Sequence, residues 1–218
     1  MGRDGLPYCA MIKYVIEQNP DDRILKAASD ILAKGGLVSL PTDTNWVAVA
    51  DPFSKAGVEK LYKLKKEEPK KHFSVLCDTI SRATDFALIG DNAFRLIRGK
   101  VPGNYTFIFN AQKLITKALK ASKRDHQIGV RFPPSNLAQK LIETHGQLLL
   151  STNLTHEMMG IADKEIDIYG FLIDDSLSHM IDMVLDPGEI EFAGGSTIVS
   201  LVDETDPVLL REGAGEWP

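Results

Sequence analysis

The chain has 218 residues, 44% hydrophobic and 25% charged, with a formal net charge of -5. That balance excludes an intrinsically disordered chain and leaves enough apolar residues for one sizeable core, so it fits one large α/β domain better than two small ones. No apolar run reaches the roughly 18 residues that a membrane helix needs, and the two cysteines, Cys9 and Cys77, are too few for a disulfide scaffold or a CxxC zinc site. The opening Met1-Gly2-Arg3-Asp4-Gly5-Leu6-Pro7 has no basic n-region followed by an apolar stretch, so it does not read as a secretory signal, and the expected compartment is the cytoplasm.

In chain order, Asp21 to Lys34 carries apolar residues at Ile24, Ala27, Ala28, Ile31 and Leu32, a helical spacing closed by Gly35-Gly36. Leu37-Val38-Ser39-Leu40 then reads as a strand that stops at Pro41-Thr42-Asp43-Thr44. Small donors and acceptors at a strand's carboxyl end fit a ligand-binding mouth of an open sheet, and they fit equally a plain turn, which selects the same residues. Ser54 is a fitting N-cap for a second helix with Val58, Leu61 and Leu64 or Tyr62 inward. Phe73 to Cys77 reads as a strand ending in a buried thiol, and Asp91 to Arg98 as a helix. A turn at Lys100-Val101-Pro102-Gly103-Asn104 leads into the strand Tyr105 to Phe109. Ile128 to Phe132 is a further strand, closed by Pro133-Pro134. Ser135 caps a helix bearing Leu137, Leu141 and Ile142 that Gly146 ends. Leu148 to Thr152, Met183 to Leu185, Ser196 to Val202 and Val208 to Arg211 complete the strands. Alternating helices and strands imply a layered α/β domain.

Charge is unevenly spread. Lys55 to His72 holds seven lysines against three glutamates, and Lys113 to Arg131 six basic residues against Asp125, whereas Thr155 to Phe192 holds ten acids and only Lys164. The basic blocks fit a surface for phosphate-bearing ligands if the fold joins them, and otherwise they are solvated helix faces. No GxxxxGK[ST], GxGxxG or HExxH pattern occurs. The five histidines, 72, 126, 145, 156 and 179, are scattered and read as surface or supporting residues rather than general bases. Gly194-Gly195-Ser196-Thr197 suits an anion-binding nest or a tight turn. Nucleophilic catalysis has no evident apparatus. What remains is a set of hydroxyls and cations near strand ends: Thr42, Thr44, Lys63, Lys65, Thr106, Arg131, Ser151, Thr152, Ser196, Thr197 and Arg211.

These residues sit in segments that occur in a known order. Gly36 to Thr44, a lysine-rich helix end, Pro102 to Ile108, Gly129 to Pro133, Leu149 to Thr152, Gly195 to Val199 and Leu210 to Gly213 together resemble the YrdC/YciO family. Asp91-Asn92-Ala93-Phe94-Arg95-Leu96 running into Pro102-Gly103-Asn104 is most similar to the YciO branch. The resemblance implies a single domain over 21–215, with 1–20 as an N-terminal extension, built on a twisted, mixed, open sheet flanked by helices with a concave basic face. It implies a threonylcarbamoyl-AMP synthase-like reaction of L-threonine, bicarbonate and ATP with Mg²⁺, serving tRNA threonylcarbamoyladenosine modification. Such an adenylation calls for positioning and electrostatics, with no protein nucleophile and no protein-held metal. By motif position, Thr44 and Ser196 would contact the amino acid, and Lys65, Thr106, Ser151 and Arg211 the nucleotide. Lys63, Lys71 and Arg131 are the candidates for the basic face.

The chain also departs from the synthases' pattern. Asn45-Trp46-Val47 stands for Val-Tyr-Gly, Glu67 for the arginine of a lysine-x-arginine pair, and Asn153-Leu154-Thr155 follows Ser151-Thr152 in place of Ser-Ala-Asn. A carboxylate beside a triphosphate is repulsive, so weak activity is the expectation. The alternative is a protein of the same fold that binds double-stranded RNA or tRNA through phosphate contacts without efficient catalysis.

Overall fold

In the computed structural model, which describes residues 11–65, 74–113 and 126–218, local caps set the helices. Asp21 accepts from the Arg23 amide at 2.7 Å and opens α1 (Asp22–Ala33). Ser54 does the same for Gly57 at 3.3 Å at the start of α2 (Lys55–Leu64). Short α3 (Ile80–Ala83) and α4 (Asp91–Ile97) follow. Ser135 caps α5 (Asn136–His145) through the Ala138 amide, and Gly146 ends it in the left-handed conformation, φ 78°. The last helix is α6 (Gly170–Leu177). The buried stripe of α1 is Leu25, Ala28, Ser29 and Leu32, with Ile24 and Ile31 half-buried and Ala27 exposed. The inward face is thus turned slightly from the one the apolar spacing predicts.

Ten strands form one mixed sheet: β1 (Met11–Tyr14), β2 (Val38–Pro41), β3 (Trp46–Ala50), β4 (Ser74–Leu76), β5 (Tyr105–Asn110), β6 (Gln127–Arg131), β7 (Leu149–Asn153), β8 (Met183–Asp186), β9 (Thr197–Ser200) and β10 (Val208–Arg211). Their order is β1-β8-β2-β3-β7-β4-β6-β5-β9-β10. β1/β8, β2/β8, β4/β6 and β5/β9 run parallel; the other neighbours are antiparallel. Residues 11–14 therefore belong to the sheet: the segment expected as an N-terminal extension supplies its edge strand, because Met11 to Tyr14 pair with Met183 to Asp186.

Alternation along the strands divides the core into two layers. Val47 and Val49 pack with α1 and α5 through Leu25, Leu32, Leu137, Leu141 and Ile142. Ala48 and Ala50 face the other side, where α2, α4 and α6 contribute Val58, Leu61, Ala93, Ile97, Ile173 and Leu177. Cys77 is buried there as expected, and burial pushes its thiol up to about 12, which keeps it neutral and unreactive.

His145, at the end of α5, is a supporting residue. Its side chain is 5% exposed, its Nδ1 lies 3.1 Å from Ser29 Oγ on α1, and its Nε2 lies 3.8 Å from Asp51 Oδ2. Burial holds its pKa below the ordinary 6.5; Asp51 pulls upward and Lys26 adds a small downward push. A depressed folded pKa means that the unfolded chain takes up the proton first, so stability is full above the unfolded value and falls as pH drops below it. Urea unfolding should lose stability from about pH 6.5 downward, and His145→Gln should flatten that part of the profile.

Candidate functional site

The chain leaves β2 at Pro41 and turns sharply. Thr42 Oγ1 donates to Asn45 O at 2.9 Å, and the Thr42 amide uses the same acceptor. Asn45 Nδ2 reaches Leu154 O beyond β7 at 3.3 Å. This turn presents Asp43 and Thr44 beyond the strand, and Thr44 Oγ1 stays half-buried 3.4 Å from Thr42 Oγ1. Asp43 points inward to the end of β6, where Oδ1 accepts from Arg131 Nη2 at 2.9 Å. Both side chains are nearly inaccessible, 7% and 5% exposed. The Asp43 carbonyl accepts from the Ala193 amide at 2.8 Å, which ties the turn to the loop before β9.

That pair is imperfectly satisfied. Asp43 Oδ2 and Arg131 Nε have no hydrogen-bond partner among the described residues. Burial pushes the Asp43 carboxyl above the usual carboxylate range while Arg131 pulls it down. Burial, and more weakly the charge of Arg211, lower the Arg131 pKa, with Asp43 opposing. Arg131 thus feels both the carboxylate of Asp43 and, more weakly, the like charge of Arg211.

The second half of the site comes from parallel β5 and β9. Their register sets Thr106 beside Ile198 and Tyr105 beside Thr197, and brings Thr106 Oγ1 to 2.8 Å from Ser196 Oγ. Arg211, at the end of β10, donates from Nε to Ser196 O at 3.1 Å and from Nη2 to Ser196 Oγ at 3.1 Å. Thr106 and Ser196 are 5% and 6% exposed.

Of the residues singled out from the sequence, Thr106, Ser196 and Arg211 meet directly, and Arg131 lies close enough to Arg211 to feel its charge. Ser151 on β7 is 4% exposed and donates to Ser74 O at 2.9 Å, a bond across the sheet. Lys63 is exposed on α2, and Lys65 is the half-buried C-cap of that helix. Lys71 and Glu67 lie outside the described residues. The sequence reading left out Asp43 as a site residue, although its place between two threonines in the first motif marks it. It also left out Gly215, and it took Gly213 only as the end of the motif Leu210 to Gly213.

No group of three or more His, Cys, Asp or Glu among the described residues could hold a metal ion, and Asp43 is engaged with Arg131. With that carboxylate engaged, the described donors around it are hydroxyls and guanidiniums rather than the carboxylates that Mg²⁺ selects. Nor is any helix of the described residues long and apolar enough to cross a membrane.

Fold and site together define an open, mixed α/β protein whose strand ends present hydroxyl and guanidinium groups. Residues 30–213 match the family model of the Sua5, YciO and YrdC proteins, described as telomere recombination, and the chain belongs to that family. YciO of Escherichia coli is 31% identical over 203 residues, which cover 93% of this chain and 95% of the relative. The crystal structure of E. coli YciO superposes with a TM-score of 0.82 at 28% identity, covering 95% of this chain and 97% of that one. A putative threonylcarbamoyl-AMP synthase of Methanocaldococcus jannaschii is 24% identical over 200 residues, 92% of this chain and 90% of the relative. P. abyssi Sua5 complexed with L-threonine shares the fold, with a TM-score of 0.79 at 21% identity over 93% of this chain and 57% of that chain.

Proposed function

We propose that the protein binds ATP and L-threonine and forms threonylcarbamoyl-AMP and pyrophosphate from L-threonine, bicarbonate and ATP, as a cytoplasmic step toward tRNA threonylcarbamoyladenosine. The observation that carries this reading is the Thr106–Ser196–Arg211 hydrogen-bonded cluster beside the buried Asp43–Arg131 pair. In this reaction the threonine amine forms a carbamate with the bicarbonate carbon, releasing water. A carbamate oxygen then displaces pyrophosphate from the α-phosphorus. Neither step requires a protein nucleophile; both require the reactants held in line and the leaving charge neutralised. Ser196 and Thr44 are the proposed contacts for threonine. Arg211, Thr106, Lys65 and Ser151 are those for the nucleotide, and Arg131 adds positive charge. Mg²⁺ would arrive on the ATP phosphates. The related synthase and the threonine-bound relative support the same substrate classes.

Pyrophosphate release by the pure protein, with ATP, Mg²⁺, bicarbonate and L-threonine omitted one at a time, tests the reading. The expected result is slow release that needs both threonine and bicarbonate. No release together with no nucleotide binding by calorimetry would overturn it. Salt-dependent binding of a double-stranded RNA in that same protein would replace it with the RNA-binding alternative.

A further inference from the structure

Beyond Arg211 the chain does not leave the site. It doubles back over the first residues of β5 and β9, Tyr105 and Thr197, and the contacts it makes there are unusually committed. Thr197 is fully buried, and its hydroxyl addresses one residue twice: Oγ1 donates to Gly215 O at 2.5 Å and accepts from the Gly215 amide at 3.1 Å. The Ala214 amide donates to Gly195 O at 2.8 Å. Tyr105 Oη and Lys100 Nζ both donate to Glu216 O, at 2.8 and 3.2 Å. Trp217 meets Phe107 edge-on at 6.2 Å, with Lys100 Nζ 5.2 Å from the Trp217 ring centroid.

Two glycines make this approach feasible. A Cβ on Gly213 would come within 2.7 Å of Ser196 O, and one on Gly215 within 2.5 Å of the Tyr105 ring. Any side chain at 213 would therefore push against the backbone that carries Ser196. The Ser196 carbonyl is also the acceptor for Arg211 Nε. Segment 213–217 thus touches the peptides on either side of Ser196 and begins two residues after Arg211.

We propose that residues 213–217 are a strap that sets the positions of Ser196 and Arg211 for their ligands, with Thr197 as the positioning residue that fastens it. The inference rests on the ligand assignment made above for Ser196 and Arg211. The strap itself touches no reacting atom. It holds Gly195 through the Ala214 amide while Arg211 bonds the Ser196 carbonyl, so that Ser196 Oγ stays between Thr106 Oγ1 and Arg211 Nη2.

Thr197→Val keeps the shape and removes both hydrogen bonds to Gly215, and Thr197→Ser keeps the hydroxyl. In calorimetry with L-threonine and with ATP below the unfolding temperature, Thr197→Val should weaken binding about tenfold, the equivalent of one hydrogen bond's net worth. Thr197→Ser should stay within about twofold of the parent protein. A merely structural threonine would lower the unfolding temperature of the valine variant and leave both affinities unchanged; that result would overturn the proposal.

Amide hydrogen exchange of residues 195–198 in the absence of ligand separates the strap from the functional reading. If the parent protein binds neither ligand, that reading falls. The strap then stands if exchange speeds up in Thr197→Val and not in Thr197→Ser, and is overturned if the two variants exchange alike.

Discussion

Replacing Arg131 with alanine should cost about 3–5 kcal/mol of folding stability, because it strands a carboxylate that is already buried. Asp43 is 7% exposed, with Oδ1 on Arg131 and Oδ2 without a hydrogen bond among the described residues, so Arg131 is its one cationic partner there. The pair itself need not be stabilising: desolvating both ions offsets much of their attraction. That distinction is measurable. Asp43→Asn combined with Arg131→Met should be markedly less destabilised than Arg131→Ala alone, and a double-mutant cycle in urea should return a large coupling. The pH dependence carries a sign. Burial already raises the Asp43 pKa against the pull of Arg131, and without Arg131 it should rise further. A raised folded pKa gives stability at low pH that is lost as pH climbs through it, so the deficit of Arg131→Ala should shrink on acidification and widen toward neutrality. A deficit independent of pH would mean that the arginine acts through packing of its stem rather than through Asp43.

Much of the architecture is local enough to be read from the chain. Ser54 and Ser135 cap helices as their type and spacing imply, and Gly146 stops α5 in the conformation that glycine tolerates best. The elements that escaped have physical reasons for doing so. β3 is buried at all five positions, so Trp46 to Ala50 shows no polar alternation to mark it as a strand. β1 exists only because β8, some 170 residues later, offers a parallel edge, and no local signal reports such a partner. α6 has no side-chain cap and carries Asp174 and Asp175 among its apolar residues, which makes it resemble the acidic loops around it.

The candidate site divides along the same line. Thr106, Ser196 and Arg211 stand at motif positions, but their meeting depends on β5 lying parallel to β9 and β10 folding back on it. The ion pair of Asp43 with Arg131 spans 88 residues and is invisible to any window along the chain. Chemical type was therefore legible, whereas partnership was not. The departures in the lysine-rich stretch after Lys65 bear on the proposed reaction, and they are what the omission series addresses. The strap is a case of partnership alone: Gly213 and Gly215 look like ordinary loop glycines until Ser196 and Tyr105 are placed against them.

Phe107→Ala should be the most damaging single change in the core, costing about 3–5 kcal/mol. Phe107 is fully buried on β5, one residue after Thr106, and so packs on the face opposite the Thr106 hydroxyl. It stacks on Tyr105 at 5.5 Å, tilts against Phe109 at 6.4 Å and takes the edge of Trp217 at 6.2 Å. Truncation opens a cavity beneath all three rings, and Phe107→Leu, which refills most of it, should recover a substantial part of the loss. Denaturant unfolding gives the stability, and tryptophan emission gives the location of the damage. Trp46 is buried on β3 in the same core layer as Phe107, so emission is read in a Trp46→Phe background, where a red shift of the folded variant would report Trp217 losing its seat. If the alanine variant loses the expected stability while its folded-state emission stays unchanged, the aromatic contact is dispensable for the strap. The hydrogen bonds between Thr197 and Gly215 would then be what keeps the segment beside Ser196.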